Sequence, residues 1–394
     1  MKNRRILLLI GSCWVTYLTA YLCRVNLSSA MDALTADRLL TEGGLGAVGA
    51  VFYAVYALGQ LCNGYIGDHV KAHVFILAAL AGTALCNMGM AFAATLPAML
   101  LLWGANGWFQ SMFWSTLIRL LAQNTPAEGR AGVSGIIASA MPAAYFVSWS
   151  LLGQTFAGLD SRWYFLVPAG ISLLLLVWWL RLSKTLASDA PPASKASPKE
   201  TLRFLVRERM HVLLAMCVLH GLIKEGVGYW APLFISQLNS TAVPPALLAA
   251  VMPLANLCGI LLSRALLPRV PKPTYILTGE LLATAAVCAV LTQAGGTLAV
   301  IGLMACICGL CFCGNTILMS YLPMQYAGAN MVASIIGVLD CASYTGAAVS
   351  TWVLGRLLST AGFTPLPYIW LGAALLAAGL SLLMQKKRKE EASA

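Results

Sequence analysis

What constrains this chain most is a series of long apolar runs that follow one another with little between them. A run of about 20 apolar residues crosses a bilayer as a helix, because hydrocarbon offers no partner to an exposed backbone N–H or C=O. Reading between breaks at Pro, Gly, Asn and charge places spans near 6–31, 43–67, 74–94, 97–122, 131–156, 162–182, 211–236, 246–267, 274–294, 297–322, 330–357 and 365–385. The runs are continuous and do not alternate in segments of about ten residues, so they predict helices and not a barrel. Twelve crossings use about 240 residues, which leaves short connections out of 394 and no soluble domain of ordinary size. The 59% hydrophobic and 10% charged composition agrees, since a soluble domain carries about 25% charged residues. Catalytic domains, lectins and nucleic-acid modules are thereby excluded, and the net charge of +11 reports orientation before partners.

With the N-terminus inside, 20 Lys and Arg fall in the cytoplasmic connections and termini. Only Arg38, Arg162 and Arg356 fall outside, and Arg24 and Lys224 lie within spans. That asymmetry predicts both termini in the cytoplasm. The first run is read as a retained helix and not a cleavable signal, because it is long, carries Arg24, and lacks a small-residue cleavage site before Asp32. Between spans six and seven, SKTLASDAPPASKASPKE has the Ala, Ser, Pro and Lys content of a solvated tether. The expected architecture is therefore an all-α membrane protein with twelve transmembrane helices in two pseudo-symmetric six-helix bundles. They occupy residues 1–182 and 211–385, with a cytoplasmic linker at 183–210 and a basic tail at 386–394.

Sliding the chain along itself supports a duplication. At an offset of 200 residues Arg24 falls on Lys224, and at 199 SGIIASAMPAAY (Ser134 to Tyr145) falls on ASIIGVLDCASY (Ala333 to Tyr344), with Met141 opposite Asp340. A cation at the centre of a span costs roughly 2.5–3.5 kcal/mol on insertion scales, so it turns toward a protein interior or cavity, or snorkels to an interface. Two cations at equivalent repeat positions favour the interior and make an anion site, Arg24 with a planar fork and Lys224 with a point charge. Tyr17 and Tyr21 precede Arg24 by seven and three residues. They share its helical face, either as hydroxyl donors or as an aromatic packing stripe. Glu225 follows Lys224 but points about 100° away around the helix. Asp340 lies mid-span and is the candidate proton-carrying or cation-pairing acid, and Glu280 lies near the cytoplasmic end of span nine.

Twelve cysteines lie almost wholly in predicted spans, where CICGLCFC (Cys306 to Cys313) reads as small residues that allow close helix packing rather than as disulfides or a metal site. His69 and His73 are four apart, but no further His or Cys lies in the same loop, so they read as solvated loop residues. There is no nucleotide-binding P-loop, and neither a cofactor nor a resident metal is expected.

Several segments resemble the major facilitator superfamily, and more narrowly the organophosphate:phosphate antiporters that carry glycerol phosphate and hexose phosphates. The resemblance covers essentially the whole chain. GYIGDHVKAH (Gly64 to His73) is similar to the superfamily's Gly-x-x-x-Asp-Arg loop, keeping Gly64 and Asp68 with His69 where Arg is usual. YLCRVNLSSAM (Tyr21 to Met31) resembles the antiporters' Tyr-Leu-x-Arg-x-Asn, and NGWFQSMFWSTLIR (Asn106 to Arg119) their Asn-Gly-x-x-Gln-Gly-x-Gly-Trp-Pro-Pro stretch ending in Arg. KEGVGYWAP from Lys224 resembles their Arg-x-Gly-x-x-x-Trp-Ser-Pro. The resemblance implies that Arg24 and Lys224 hold a substrate phosphate with Tyr17 and Tyr21 beside them. Gln60 and Trp114 join that candidate set, and Gly64, Asp68 and Arg119 form a conformational-switch loop. The sequence departs at Gln60, where the family has Lys, at Met141, where glycerol-phosphate transporters have His, and at Gly221, where the second-half tyrosine would stand.

The expected function is secondary transport of a small organic anion, a phosphorylated metabolite, by alternating access, with inorganic phosphate as the exchanged ion. The alternatives are a proton-coupled symporter of a carboxylate or other polar metabolite, in which Asp340 or Glu225 takes up the proton, and a sugar-phosphate sensor that does not transport. If Glu225 and Asp340 both faced the cavity ionised, they would cancel Arg24 and Lys224, and a near-neutral site suits a phosphate dianion poorly. The expected partners are the anionic substrate and the lipid bilayer, in a monomer within a bacterial cytoplasmic membrane.

Overall fold

The computed structural model describes residues 2–37, 40–67, 70–125, 133, 136–185, 203, 206–207, 210–238, 242–322 and 332–393. The apolar runs form helices whose backbone groups pair internally. The first six are α1 (Lys2–Ser29, with a short continuation at Met31–Ala36), α2 (Glu42–Gly67), α3 (Ala72–Phe92), α4 (Leu96–Gln110 and Phe113–Asn124), α5 (Ile136–Thr155) and α6 (Trp163–Leu182). The remaining six are α7 (His211–Leu238), α8 (Leu247–Leu266), α9 (Pro273–Leu291), α10 (Thr297–Met319), α11 (Val332–Ala361) and α12 (Leu366–Ser393). Among the described residues, ten helices are long and apolar enough to cross a membrane. The other two are α4 and α11. The first is interrupted at Ser111 and Met112, where Asn63 of α2 donates to the Trp108 carbonyl (3.2 Å) and to the Ser111 hydroxyl (2.7 Å). The second runs for 30 residues and is diluted by Ser, Thr, Gly and Asp340 along its packed faces. The expected linker at 183–210 lies mostly outside the described residues, and the expected tail at 386–394 continues α12 as helix to Ser393.

Small and polar side chains set the packing, as expected where lipid removes the hydrophobic drive between helices. Trp178 and Trp179 of α6 donate to Ser12 and Thr16 of α1 (2.9 and 2.7 Å), and Trp149 of α5 donates to Ser28 of α1 (3.0 Å). Ser350 of α11 bonds the Leu222 carbonyl of α7 (2.8 Å), and the hydroxyls of Thr278 and Ser381 tie α9 to α12 (2.7 Å).

α2 and α11 pack side by side in opposite directions along most of their length. Their tightest crossing is at Gly46 and Gly355, where a Cβ on Gly46 would stand 2.5 Å from the Thr351 carbonyl oxygen and 2.8 Å from the Gly355 Cα. The Tyr229 hydroxyl of α7 adds a bond to the Leu45 carbonyl (2.6 Å) at the same level. The start of α8 packs against α5 at Val147–Leu152, a stretch of α5 with π-helical hydrogen bonding.

Candidate functional site: a buried cation pair bridged by one carboxylate

α1 is gripped from the side on both turns around Arg24. Gln110 of α4 donates to the Ala20 carbonyl (2.8 Å), and the Cys23 carbonyl accepts from Asn106 of α4 (3.0 Å) and Asn87 of α3 (3.2 Å). Asn26 donates to the Asn87 side-chain oxygen (2.7 Å). These bonds hold the Arg24 backbone in register, so the guanidinium is positioned by three helices.

The guanidinium lies among five rings, those of Tyr21, Phe52, Tyr53, Tyr56 and Tyr344, each with its centroid 4.9–5.3 Å from the guanidinium carbon. A desolvated cation over one such ring gains about 2 kcal/mol, so this box recovers part of the hydration that Arg24 gives up. One Nη donates to the Tyr344 hydroxyl (3.3 Å), while Nε and the other Nη meet no acceptor within hydrogen-bonding distance.

From the other half, Lys224 of α7 donates to the side-chain oxygen of Asn315 on α10 (3.1 Å) and pairs with Glu225 (3.0 Å). The same carboxylate accepts from Tyr53 of α2 (3.0 Å) and stands 3.8 Å from Arg24. All three charged side chains are 4–8% exposed. The expectation that Glu225 points away from Lys224 is therefore corrected. Two long side chains on adjacent positions can still meet at their tips, and here Arg24 and Tyr53 draw the carboxylate to the side where Lys224 also reaches. Arg24, Lys224 and Glu225 together leave one excess positive charge.

The other expected residues divide clearly. Tyr21 faces Arg24 as a ring and not as a donor, and Tyr17 stands behind it, edge-on to Tyr21 (5.1 Å) and against Trp114 (5.0 Å). Gln60 reaches the site through Tyr56, donating to its hydroxyl (2.7 Å). Asp340 is half-buried one turn before Tyr344 on α11, and among the described residues no ion pair joins it. Of the residues expected to act as a conformational switch, Arg119 on α4 donates to the Val70 carbonyl (2.9 Å), Gly64 near the end of α2 has open space around it, and Asp68 lies outside the described residues. Sequence reading missed Phe52, Tyr53, Tyr56 and Asn315. The first three form an aromatic cluster at positions one and four apart, which reads as packing until the helix facing it is known. Tyr145, equivalent to Tyr344 in the repeat, lies against Tyr21 with the rings tilted by 52° (centroids 5.9 Å apart).

The description of the Major Facilitator Superfamily matches residues 13–351. The chain belongs to this superfamily. It is a multi-pass membrane protein, helical among the described residues. A probable hexose phosphate transport protein of Chlamydia trachomatis is 31% identical over 110 residues, which is 28% of this chain and 24% of that one. The membrane sensor protein UhpC of Salmonella typhimurium is 25% identical over 264 residues, covering 60% and 57%. A D-galactonate transporter of Escherichia coli is 24% identical over 424 aligned positions, covering 97% and 96%. The match thus spans about a quarter of the chlamydial relative and nearly all of the galactonate transporter.

Proposed function

We propose that this protein is a secondary transporter of a small organic anion, with phosphorylated sugars as the leading substrate class and inorganic phosphate as the exchanged ion. The observation that carries the reading is the meeting of Arg24 and Lys224, one from each half of the repeat, on a single buried carboxylate, with two guanidinium nitrogens still unbonded. Those nitrogens fit the fork geometry that carboxylate or phosphate oxygens take. Alternating access then consists of breaking the α2–α11 and α5–α8 contacts on one face while the halves 1–182 and 211–385 close on the other. The charge asymmetry supports cytoplasmic termini, and the protein acts as a monomer that transports and does not catalyse. Similarity to the chlamydial hexose phosphate transport protein supports the phosphate class.

A second reading has its own support. One excess positive charge suits a monoanionic carboxylate better than a phosphate dianion, and the D-galactonate transporter matches over almost the whole chain. In that case Asp340 or Glu225 takes up the coupled proton. Counterflow in proteoliposomes loaded with labelled inorganic phosphate, against external sugar phosphates and sugar acids, separates the two. Phosphate release by a sugar phosphate that vanishes in Arg24→Ala supports exchange. Uptake of a sugar acid driven only by a proton gradient replaces it with symport, and ligand-induced stabilisation without any flux refutes both in favour of a sensor like the Salmonella relative.

A further inference from the structure

A second polar cluster lies away from the cation pair, inside the C-terminal half. His220 of α7, Glu280 of α9 and Cys311 of α10 are 1%, 4% and 1% exposed, and one donor atom from each lies within 4.8 Å of the other two. Neither ring nitrogen of His220 meets a partner in full hydrogen-bonding geometry, although the ring lies beside the Cys311 backbone, and Oε2 of Glu280 has none, while its Oε1 accepts from the Thr284 hydroxyl (3.2 Å). Among the described residues no Lys or Arg pairs with Glu280. Buried polar atoms without partners are rare and costly. Here they converge on one point. A Cβ built on Gly314 would lie 2.5 Å from Glu280 Oε2 and 2.9 Å from His220 Nε2, so both atoms turn into the space that this glycine leaves free.

We propose that His220, Glu280 and Cys311 form a binding site for a divalent transition cation of the zinc class. Imidazole nitrogen, carboxylate oxygen and thiolate sulfur are the donors that such an ion takes at about 2.0–2.3 Å, and three protein ligands leave its fourth position open. Binding releases two protons to solvent, the Cys311 thiol proton and the one that His220 and Glu280 share in the metal-free protein, and forms metal–sulfur, metal–nitrogen and metal–oxygen bonds in their place. The two positive charges of the ion are then balanced by one carboxylate and one thiolate, so a neutral complex sits in the apolar bundle. The donor atoms close by roughly 1 Å on binding, because the ligands of a tetrahedral ion stand about 3.5 Å apart at these bond lengths. The site has a mechanical link to the anion site. His220 and Cys311 precede Lys224 and Asn315 by four residues on α7 and α10, so the ion would fasten these helices about one turn, 5.4 Å, from the Lys224–Asn315 contact.

The test uses the purified full-length protein, stripped with chelator and titrated with Co²⁺ and with Zn²⁺. One equivalent of Co²⁺ is expected to bind with a thiolate-to-cobalt charge-transfer band, and one equivalent of Zn²⁺ to survive gel filtration in metal-free buffer. Cys311→Ser should abolish the band, and Glu280→Gln should weaken binding at least tenfold. Because ligand variants can also perturb packing, Gly314→Ala is the decisive one: it fills the shared space, leaves all three ligands in place, and should remove the same equivalent. Eleven further cysteines are free, so metal retained in all three variants overturns the site. Absence of stoichiometric metal in the parent protein overturns it too, leaving His220 and Glu280 to share a proton.

Discussion

Replacing Gly46 by alanine is expected to prise α2 from α11 and move the protein toward the conformation in which that face is open. The added Cβ would meet the Thr351 carbonyl oxygen at 2.5 Å and the Gly355 Cα at 2.8 Å. Both are backbone atoms, so no side-chain rotation relieves the clash and the helices themselves must shift. Overpacking of this kind costs about 1–3 kcal/mol. The cost falls only on the state in which Gly46 and Gly355 touch, so the ratio of open to closed populations rises by about 5-fold to 150-fold. Spin labels at Thr41→Cys and Ser359→Cys, both exposed at the same end of the pair, report the change by pulsed dipolar distance measurement, with the exposed Cys62, Cys258 and Cys306 replaced by Ser. The alanine variant should gain a longer-distance population at least fivefold larger than the parent has. An unchanged distance distribution in a folded variant would refute the view that this glycine crossing is a gate between the halves.

Other perturbations probe the site directly. Glu225→Gln leaves Arg24 and Lys224 buried without their shared counter-charge, and should destabilise the protein by about 3–5 kcal/mol. Its thermal midpoint should fall and should respond to added inorganic phosphate more strongly than the parent's does. A variant as stable as the parent would mean that the bridge contributes nothing. Arg24→Lys keeps the charge but removes the planar fork, and a loss of at least tenfold in counterflow, about 1.4 kcal/mol, is expected. Full activity would show that charge alone suffices. Asn87→Leu removes the bond to Asn26 and one of the two to Cys23, and should cost about 1–3 kcal/mol through the one Asn26 N–H left unpaired, the other keeping the Tyr164 carbonyl, read as a lowered unfolding midpoint.

The positions of the helices were legible in the sequence because bilayer thickness sets their length and leaves only composition to be read. The convergence of Arg24 and Lys224 was legible too, through the repeat offset and not through any local motif. What escaped was everything that depends on the helix opposite. Phe52, Tyr53 and Tyr56 become a cation box only once α2 faces α1, and Glu225 becomes a bridge only because Tyr53 and Arg24 approach it from two other helices. Of the two readings open for Tyr17, hydroxyl donor or packing ring, the structure places it as a ring against Tyr21 and Trp114, behind Tyr21 as seen from Arg24. His220 and Glu280 are 60 residues apart in sequence, and no periodicity on either helix signals that their side chains meet over Gly314.

The Glu225 bridge implies a competitor that never diffuses away. On the transport reading proposed above, an arriving anion must displace a carboxylate tethered a few ångströms from its target, and a tethered group acts at an effective concentration far above that of any metabolite in solution. Affinity in the resting site is lowered accordingly, while the same returning carboxylate speeds the bound anion's departure. For a carrier, whose turnover suffers as much from holding its cargo as from failing to catch it, such an internal rival is a means of letting go.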